Sequence, residues 1–343
     1  MIEITSYSDQ HRAAWSDFVA KNPSATIAHA IGWREVIHNA LGHTPHYLLA
    51  LDGSHVKGVL PLFFIQTWWR AKYLISVPWI DYGGVCSDNI EAEKALLNRT
   101  RQLAAELNCQ FAEFRSVTAG HNNLSTSENR VSFWLRLSDN PDELWRGFDP
   151  KLRNQIRKSQ KSELTTELGG KEMLPGFYGV FSRNMRDLGT PVWGIDLFEQ
   201  VLTHFPDSAR IVQVKKDNGI IAGGLLLSFK DRLYVPSASA NRDFLGTCPN
   251  HALYWRVIED GCREGYRWFD FGRSAVDSGT YRFKQQWVTE PVRLHWQYSL
   301  NLTKTIPEIN PRNPKYRLFI NMWRRMPLPL ANFLGPKVIR NFP

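Results

Sequence analysis

Two stretches in opposite halves of the 343-residue chain carry the same order of signals, and that duplication limits the fold more than any single motif does. The first half holds Tyr47-Leu48-Leu49-Ala50-Leu51-Asp52-Gly53 and then Val56-Lys57-Gly58-Val59-Leu60-Pro61-Leu62. The second half holds Ile211-Val212-Gln213-Val214-Lys215-Lys216-Asp217-Asn218-Gly219 and then Ile221-Ala222-Gly223-Gly224-Leu225-Leu226-Leu227. Each reads as a strand, an Asp-Gly or Asn-Gly hairpin turn and a second apolar strand. Each is followed by a further strand (Lys72 to Val77; Leu233 to Ser237) and a helical stretch (Glu91 to Leu107; Pro249 to Glu264). Both copies end on a strand with a matching exit, Phe111-Ala112-Glu113-Phe114-Arg115-Ser116 against Phe269-Asp270-Phe271-Gly272-Arg273-Ser274. The reading is two related α/β domains in which Gly58 and Gly223 are equivalent.

Only the second copy continues into Gly279-Thr280-Tyr281-Arg282-Phe283-Lys284 and Trp287, so the chemistry is expected there. An acid, a glycine and an arginine at a strand exit, with a tyrosine and a lysine returning, suit a polar, anionic substrate. Trp268, Phe271, Phe283 and Trp287 read as core, because large aromatics dominate buried area. Asp270, Arg273, Tyr281 and Lys284 are polar groups that are costly to bury without purpose. Asp270 has two readings, a proton acceptor or an ion pair with Arg273.

Between the copies, Asp149-Pro150 reads as a helix cap and first helical residue. Leu152 and Ile156 then face inward, while Arg153, Arg157 and Lys161 share one basic stripe. Trp79-Ile80-Asp81-Tyr82-Gly83-Gly84 reads as a strand exit into a glycine turn, either lining a cleft or only turning the chain. His38, His43 and His46 lack an acidic or thiol neighbour in sequence, which argues against a metal.

Charge is placed unevenly. Residues 301–343 carry eight basic residues against Glu308, seven of the chain's nine net positive charges. The same segment holds Phe319, Trp323, Leu330 and Phe333, a mixture that suits an anionic membrane surface, a partner's groove, or docking on the body. Cys86, Cys109, Cys248 and Cys262 lack Cys-x-x-Cys spacing and read as reduced thiols in a cytoplasmic protein. The start shows no secretory pattern, and the apolar run Gly58 to Trp69 is too short to span a bilayer. The expected bounds are 1–140, 141–300 and a separable tail, 301–343.

In their order, Pro78–Gly84, Lys151–Lys161, Asp270–Ser274, Gly279–Trp287 and Asn310–Tyr316 resemble the FemAB/FemX family. They resemble most the branch found beside PEP-CTERM/exosortase protein-sorting and exopolysaccharide systems. The resemblance covers nearly the whole chain and implies two tandem GCN5-related N-acyltransferase-like domains, an α/β (α+β) fold, with a basic C-terminal tail. It also implies acyl or aminoacyl transfer to an amine or hydroxyl of a cell-envelope or exopolysaccharide precursor. FemX-like enzymes move an amino acid from aminoacyl-tRNA to a peptidoglycan precursor, and the family's Phe-Lys pair maps onto Phe283-Lys284. On that basis Lys284 steadies the carbonyl oxygen or a substrate phosphate, Asp270 accepts a proton and Tyr281 serves the leaving group. Arg273, Arg153, Arg157, Lys161, Asp81 and Tyr82 bind substrate. The donor is acyl-CoA or aminoacyl-tRNA, with no tightly bound cofactor. The turn Asn241–Thr247 departs from the glycine-rich CoA cradle in having only Gly246, and no heptad arm for tRNA is present. The rival reading is a non-catalytic adaptor that brings sorting or polysaccharide machinery to the membrane. Either way the expected location is cytoplasmic, with peripheral attachment to the inner membrane face through the tail.

Overall fold

The computed structural model describes residues 1–118, 120, 124–127, 129–288, 290–306 and 314–342. They fall into two units. The first comprises Met1–Arg130, Arg293–Glu308 and Asn341–Pro343, and the second Val131–Val292 and Ile309–Arg340. Asn310–Arg312 and Asn313 of the tail motif lie outside the described residues.

The hairpin signals produce hairpins. In the first unit Thr44–Asp52 pairs antiparallel with His55–Gln66, and that strand with Lys72–Ser76. The helix Ile90–Glu106 then crosses over to Phe111–Ser116, parallel to Lys72–Ser76. Asn89 starts this helix by accepting the Ala92 N–H at 2.8 Å, and Ala92, Leu96, Leu97 and Leu103 bury its inner face. The second unit repeats the path. Ala209–Lys216 pairs with Gly219–Phe229, which pairs with Arg232–Ala240. The helix Pro249–Arg263 crosses to Trp268–Asp270, parallel to Arg232–Ala240. A later antiparallel strand extends the first sheet, His295–Leu300 beside Phe111–Ser116, and an earlier one extends the second, Trp134–Arg136 beside Trp268–Asp270.

The expected match of Gly58 with Gly223 is off by one residue. Both hairpins carry an irregularity at the same distance from the turn, and beyond it Ala50 faces Gly58 while Val214 faces Ala222. Gly58 therefore corresponds to Ala222. A one-residue step turns a side chain to the other face of a sheet. A β-carbon on Gly58 would approach Leu96 of the crossover helix, whereas one on Gly223 would approach Phe177 of the helix Leu174–Leu188. The two glycines relieve crowding on opposite faces.

The second core joins Leu152 and Ile156 to Val212, Leu226, Leu253, Ile258, Phe269, Phe271 and Trp287. All four cysteines are buried, and burial pushes the Cys109 thiol up to about 11. Among the described residues no helix is long and apolar enough to cross a membrane.

The tail is not separable. Its helices Pro314–Arg324 and Leu328–Ile339 belong to the second unit and pack on Leu174–Leu188. Trp323 and Ala331 are buried, and the Arg186 guanidinium donates to the Met326 carbonyl at 3.1 Å. Truncation at residue 301 would strip this cover from Leu174–Leu188, so the tail is part of the second unit's packing and not the separable segment expected. The contact is tight at Gly335, where a β-carbon would lie 2.9 Å from the backbone nitrogen and oxygen of Val192. Gly335→Ala should lower stability by about 1–3 kcal/mol, the usual range for overpacking. A denaturant melt will check this, since an undocked helix would show no such loss.

Candidate active site

The strands Arg232–Ala240 and Trp268–Asp270 run side by side for three residue pairs only, ending at Tyr234 with Asp270. An irregularity opposite Leu226, at Val235-Pro236, breaks the register on the other side of the longer strand. That strand then runs on past its parallel partner while Pro236, Ser237 and Ala238 become partly exposed. The result is a split between parallel strands, with backbone polar groups along one edge. The sequence reading missed this split; Pro236 is the residue that could have signalled it, because proline removes a ladder donor and marks edges and bulges.

The partner strand stops at Asp270, short of the expected Phe269–Ser274 exit. Its carboxylate has no solvent exposure. Oδ1 accepts from the Ser132 hydroxyl at 2.7 Å and from the Gly272 N–H at 2.8 Å, and Oδ2 lies 3.8 Å from the Arg232 guanidinium. Arg232 in turn stacks over Trp134 at 3.9 Å. The Asp270-to-Gly272 bond folds the chain sharply, and Gly272 has φ +72°, which favours glycine.

Ser278 caps the next helix, Gly279–Gln285, by accepting the Tyr281 N–H at 3.1 Å. The helix turns Lys284 inward, where its buried ammonium donates to the carbonyls of Gly272 at 2.8 Å and Arg273 at 2.9 Å. Tyr281 is half-buried with its ring edge-on to Phe133, and Arg273 is exposed. The structure thus gathers Asp270, Arg273, Tyr281 and Lys284 around one loop. Asp270 and Lys284 hold the loop, while Arg273 and Tyr281 have surface to offer. Asp270 carries an ion pair with Arg232, a partner the sequence reading missed, as it missed Ser132. Neither has a local signal: Ser132 is 138 residues away.

The helix Pro150–Gln160 forms as expected, with Asp149 accepting the Lys151 N–H at 2.7 Å. It joins the same core through Leu152 and Ile156. Arg153 is half-buried, with its Nε enclosed and without a hydrogen-bond partner. Arg157 is exposed over Trp145 at 5.4 Å, and Lys161, also exposed, follows the helix end. Asp81 and Tyr82 are buried in the first unit. Their loop is held there by the Arg115 guanidinium on the Ile80 carbonyl at 2.8 Å. Val77 and Trp79 carry φ +39° and +74°, strained values for these residue types. His38 bonds to the His43 carbonyl, and His46 packs edge-on to Phe64. No metal-ligand cluster gathers among the described residues.

The segment that would meet a donor's phosphates, Arg242–Thr247, is a 3-10 turn capped by Asn241 and tied down by Arg183 to Asp243 at 3.0 Å. Its left-handed position is Cys248, φ +59°, not a glycine. The residues present do not form a glycine cradle. Nearby, His251 lies stacked on Trp287, and burial pushes its pKa below the ordinary value of 6.5.

Two outcomes are expected. Lys284→Met should cost about 1–3 kcal/mol by leaving buried carbonyls without a donor, measured by urea titration. The folded state also binds a proton at His251 less readily than the unfolded chain does. This part of the stability is present above pH 6.5 and lost as pH falls below it. Thermal melts of His251→Phe should show a weaker fall on acidification than the parent.

Residues 148–285 match the acetyltransferase (GNAT) domain family. Among solved structures the chain is similar to FemX, with a TM-score of 0.70 at 16% identity, covering 93% of this chain and 100% of that one. It is similar to L-PGS from Bacillus licheniformis, TM-score 0.55 at 11% identity, covering 94% and 98%. It is also similar to a tandem GNAT protein from the clavulanic acid biosynthesis pathway, TM-score 0.52 at 13% identity, covering 87% and 97%. No curated protein matches it significantly. Residues 148–285 thus carry the match to an acetyltransferase (GNAT) domain, and the chain as a whole has a fold like that of FemX.

Proposed function

We propose that the chain transfers an acyl or aminoacyl group to an amine or hydroxyl of a cell-envelope or exopolysaccharide precursor. The observation that carries this is the split beside Asp270. It offers an unpaired strand edge to an extended acyl donor, and the loop carrying Arg273 and the helix carrying Tyr281 follow directly after Asp270. The fold likeness to FemX and to L-PGS supports an envelope acceptor and an aminoacyl donor, and the missing glycine cradle weighs in the same direction against acyl-CoA. A PEP-CTERM/exosortase setting remains part of this reading, as does a cytoplasmic location.

In the reaction, the acceptor nitrogen or oxygen attacks the donor carbonyl, and negative charge builds on the carbonyl oxygen. The exposed Arg273 guanidinium is the proposed cation for that charge or for a precursor phosphate. The tetrahedral adduct collapses by expelling the donor's alcohol or thiol, which takes up a proton, with the Tyr281 hydroxyl as the candidate donor. The proton lost by the acceptor passes to water or a base. Asp270 and Lys284 act by fixing the loop. Arg153 and Arg157, with Lys161 following, form a basic surface for an anionic precursor or tRNA. The tail's outer face, with Leu318, Met322, Leu330 and Phe333 exposed among basic residues and no acid after Glu308, suits contact with anionic lipid.

Purified protein should be offered aminoacyl-tRNA or acyl-CoA with nucleotide-linked and lipid-linked precursors, and products read by mass spectrometry. Arg273→Ala should lower kcat/KM roughly ten- to a hundredfold, the loss of one charge-assisted contact. Binding of precursor without product from either donor would overturn the enzyme reading in favour of an adaptor.

A further inference from the structure

Trp68 and Trp69 stand at the tip of the hairpin joining His55–Gln66 to Lys72–Ser76, and they are 60% and 50% exposed. The tip is built to hold them there. The Thr67 N–H donates to the Ala71 carbonyl at 2.9 Å, the Ala71 N–H donates to the Thr67 hydroxyl at 3.0 Å, and Arg70 takes φ +63°. Thr67 and Ala71 are buried as a result, while Trp68-Trp69-Arg70 is driven outward. The chain's end reinforces the arrangement. Asn341 is buried and accepts the Trp68 N–H at 3.1 Å, which sets Phe342 with its ring 5.3 Å from Trp69. Phe342 is itself 37% exposed.

Two exposed indoles on a hydrogen-bonded turn, with the Phe342 ring beside them, form the kind of apolar patch that marks an interaction site. The charge around it has one sign in sequence. Arg70 and Lys72 flank the tryptophans, no acidic residue occurs between Asp52 and Asp81, and none follows Glu308. An indole places its apolar ring among acyl chains and its N–H among headgroups, and adjacent cations meet lipid phosphates. We propose that Trp68, Trp69 and Phe342 insert into the headgroup region of an anionic bilayer and anchor the first unit there. This anchor is independent of the transfer reaction and of the terminal helices' outer face in the second unit.

The test uses the full chain in flotation with phosphatidylcholine vesicles, with and without phosphatidylglycerol. Wild-type protein should float with the anionic vesicles, and salt should weaken its binding. Trp68→Ser with Trp69→Ser should cut the partition coefficient roughly tenfold or more, as expected for withdrawing two apolar rings. Equal partition of a folded double variant, or no wild-type flotation, overturns the proposal. So does light scattering that shows a wild-type dimer and a monomeric variant, which would assign the patch to a second copy of the chain. Brominated lipids give a reading that needs no variant: quenched tryptophan emission supports insertion, and unquenched emission overturns it.

Discussion

A carboxylate shut away from water costs several kcal/mol unless its charge is met, and Asp270 finds hydrogen-bond donors in Ser132 and Gly272 and an opposite charge in Arg232 at 3.8 Å. Those bonds require the strand to stop where it does, the chain to turn through Gly272, and the strand carrying Trp134 to lie alongside. They also fix where the next carbonyls point. Lys284 meets two of those carbonyls, which locks the helix Gly279–Gln285 to the turn. The placement of Tyr281 and Arg273 follows from that lock, so the candidate site depends on one buried anion and one buried cation that hold the loop.

The first unit answers the same structural need differently. Its strand exit also ends in Arg-Ser, but Arg115 turns inward. It pairs with Glu113 at 2.7 Å, lies over Trp296 at 4.2 Å, and donates to the Ile80 carbonyl. In each copy a buried cation fastens loop carbonyls near the strand end. In the first copy the exit arginine does this, and its side chain is consumed by the fold. In the second copy a lysine from the added helix takes over, and the matching arginine is left at the surface. Duplicated topology with a divided use of the same arginine is the asymmetry on which the proposed site in the second copy rests.

The terminal helices show how one segment serves two surfaces. Small residues let them approach the body, as at Gly335 against Val192 and Gly189 against Ile320. The large apolar and basic residues are thereby turned outward. Charge and hydrophobicity along the tail are compatible with docking and with exposure, because a helix has two faces and composition does not say which is covered.

Repeats, hairpins and helix caps were legible in the residues because they are local: turn chemistry at Asp52-Gly53, a cap at Asp149 and apolar spacing in Pro249–Arg263 each act within a few positions. The gathering of Asp270, Arg273, Tyr281 and Lys284 was legible for the same reason, since all four lie within one short stretch. The partners that define their roles were not. Ser132 and Arg232 reach Asp270 only because a strand from before the second copy adds to its sheet and a parallel pair brings Arg232 alongside. The glycine offset between the copies was also hidden, because it depends on which face each helix covers. Local physics is written in neighbouring residues. Which buried group meets which, and therefore whether a polar residue holds the loop or faces the substrate, is settled only when distant strands close on one another.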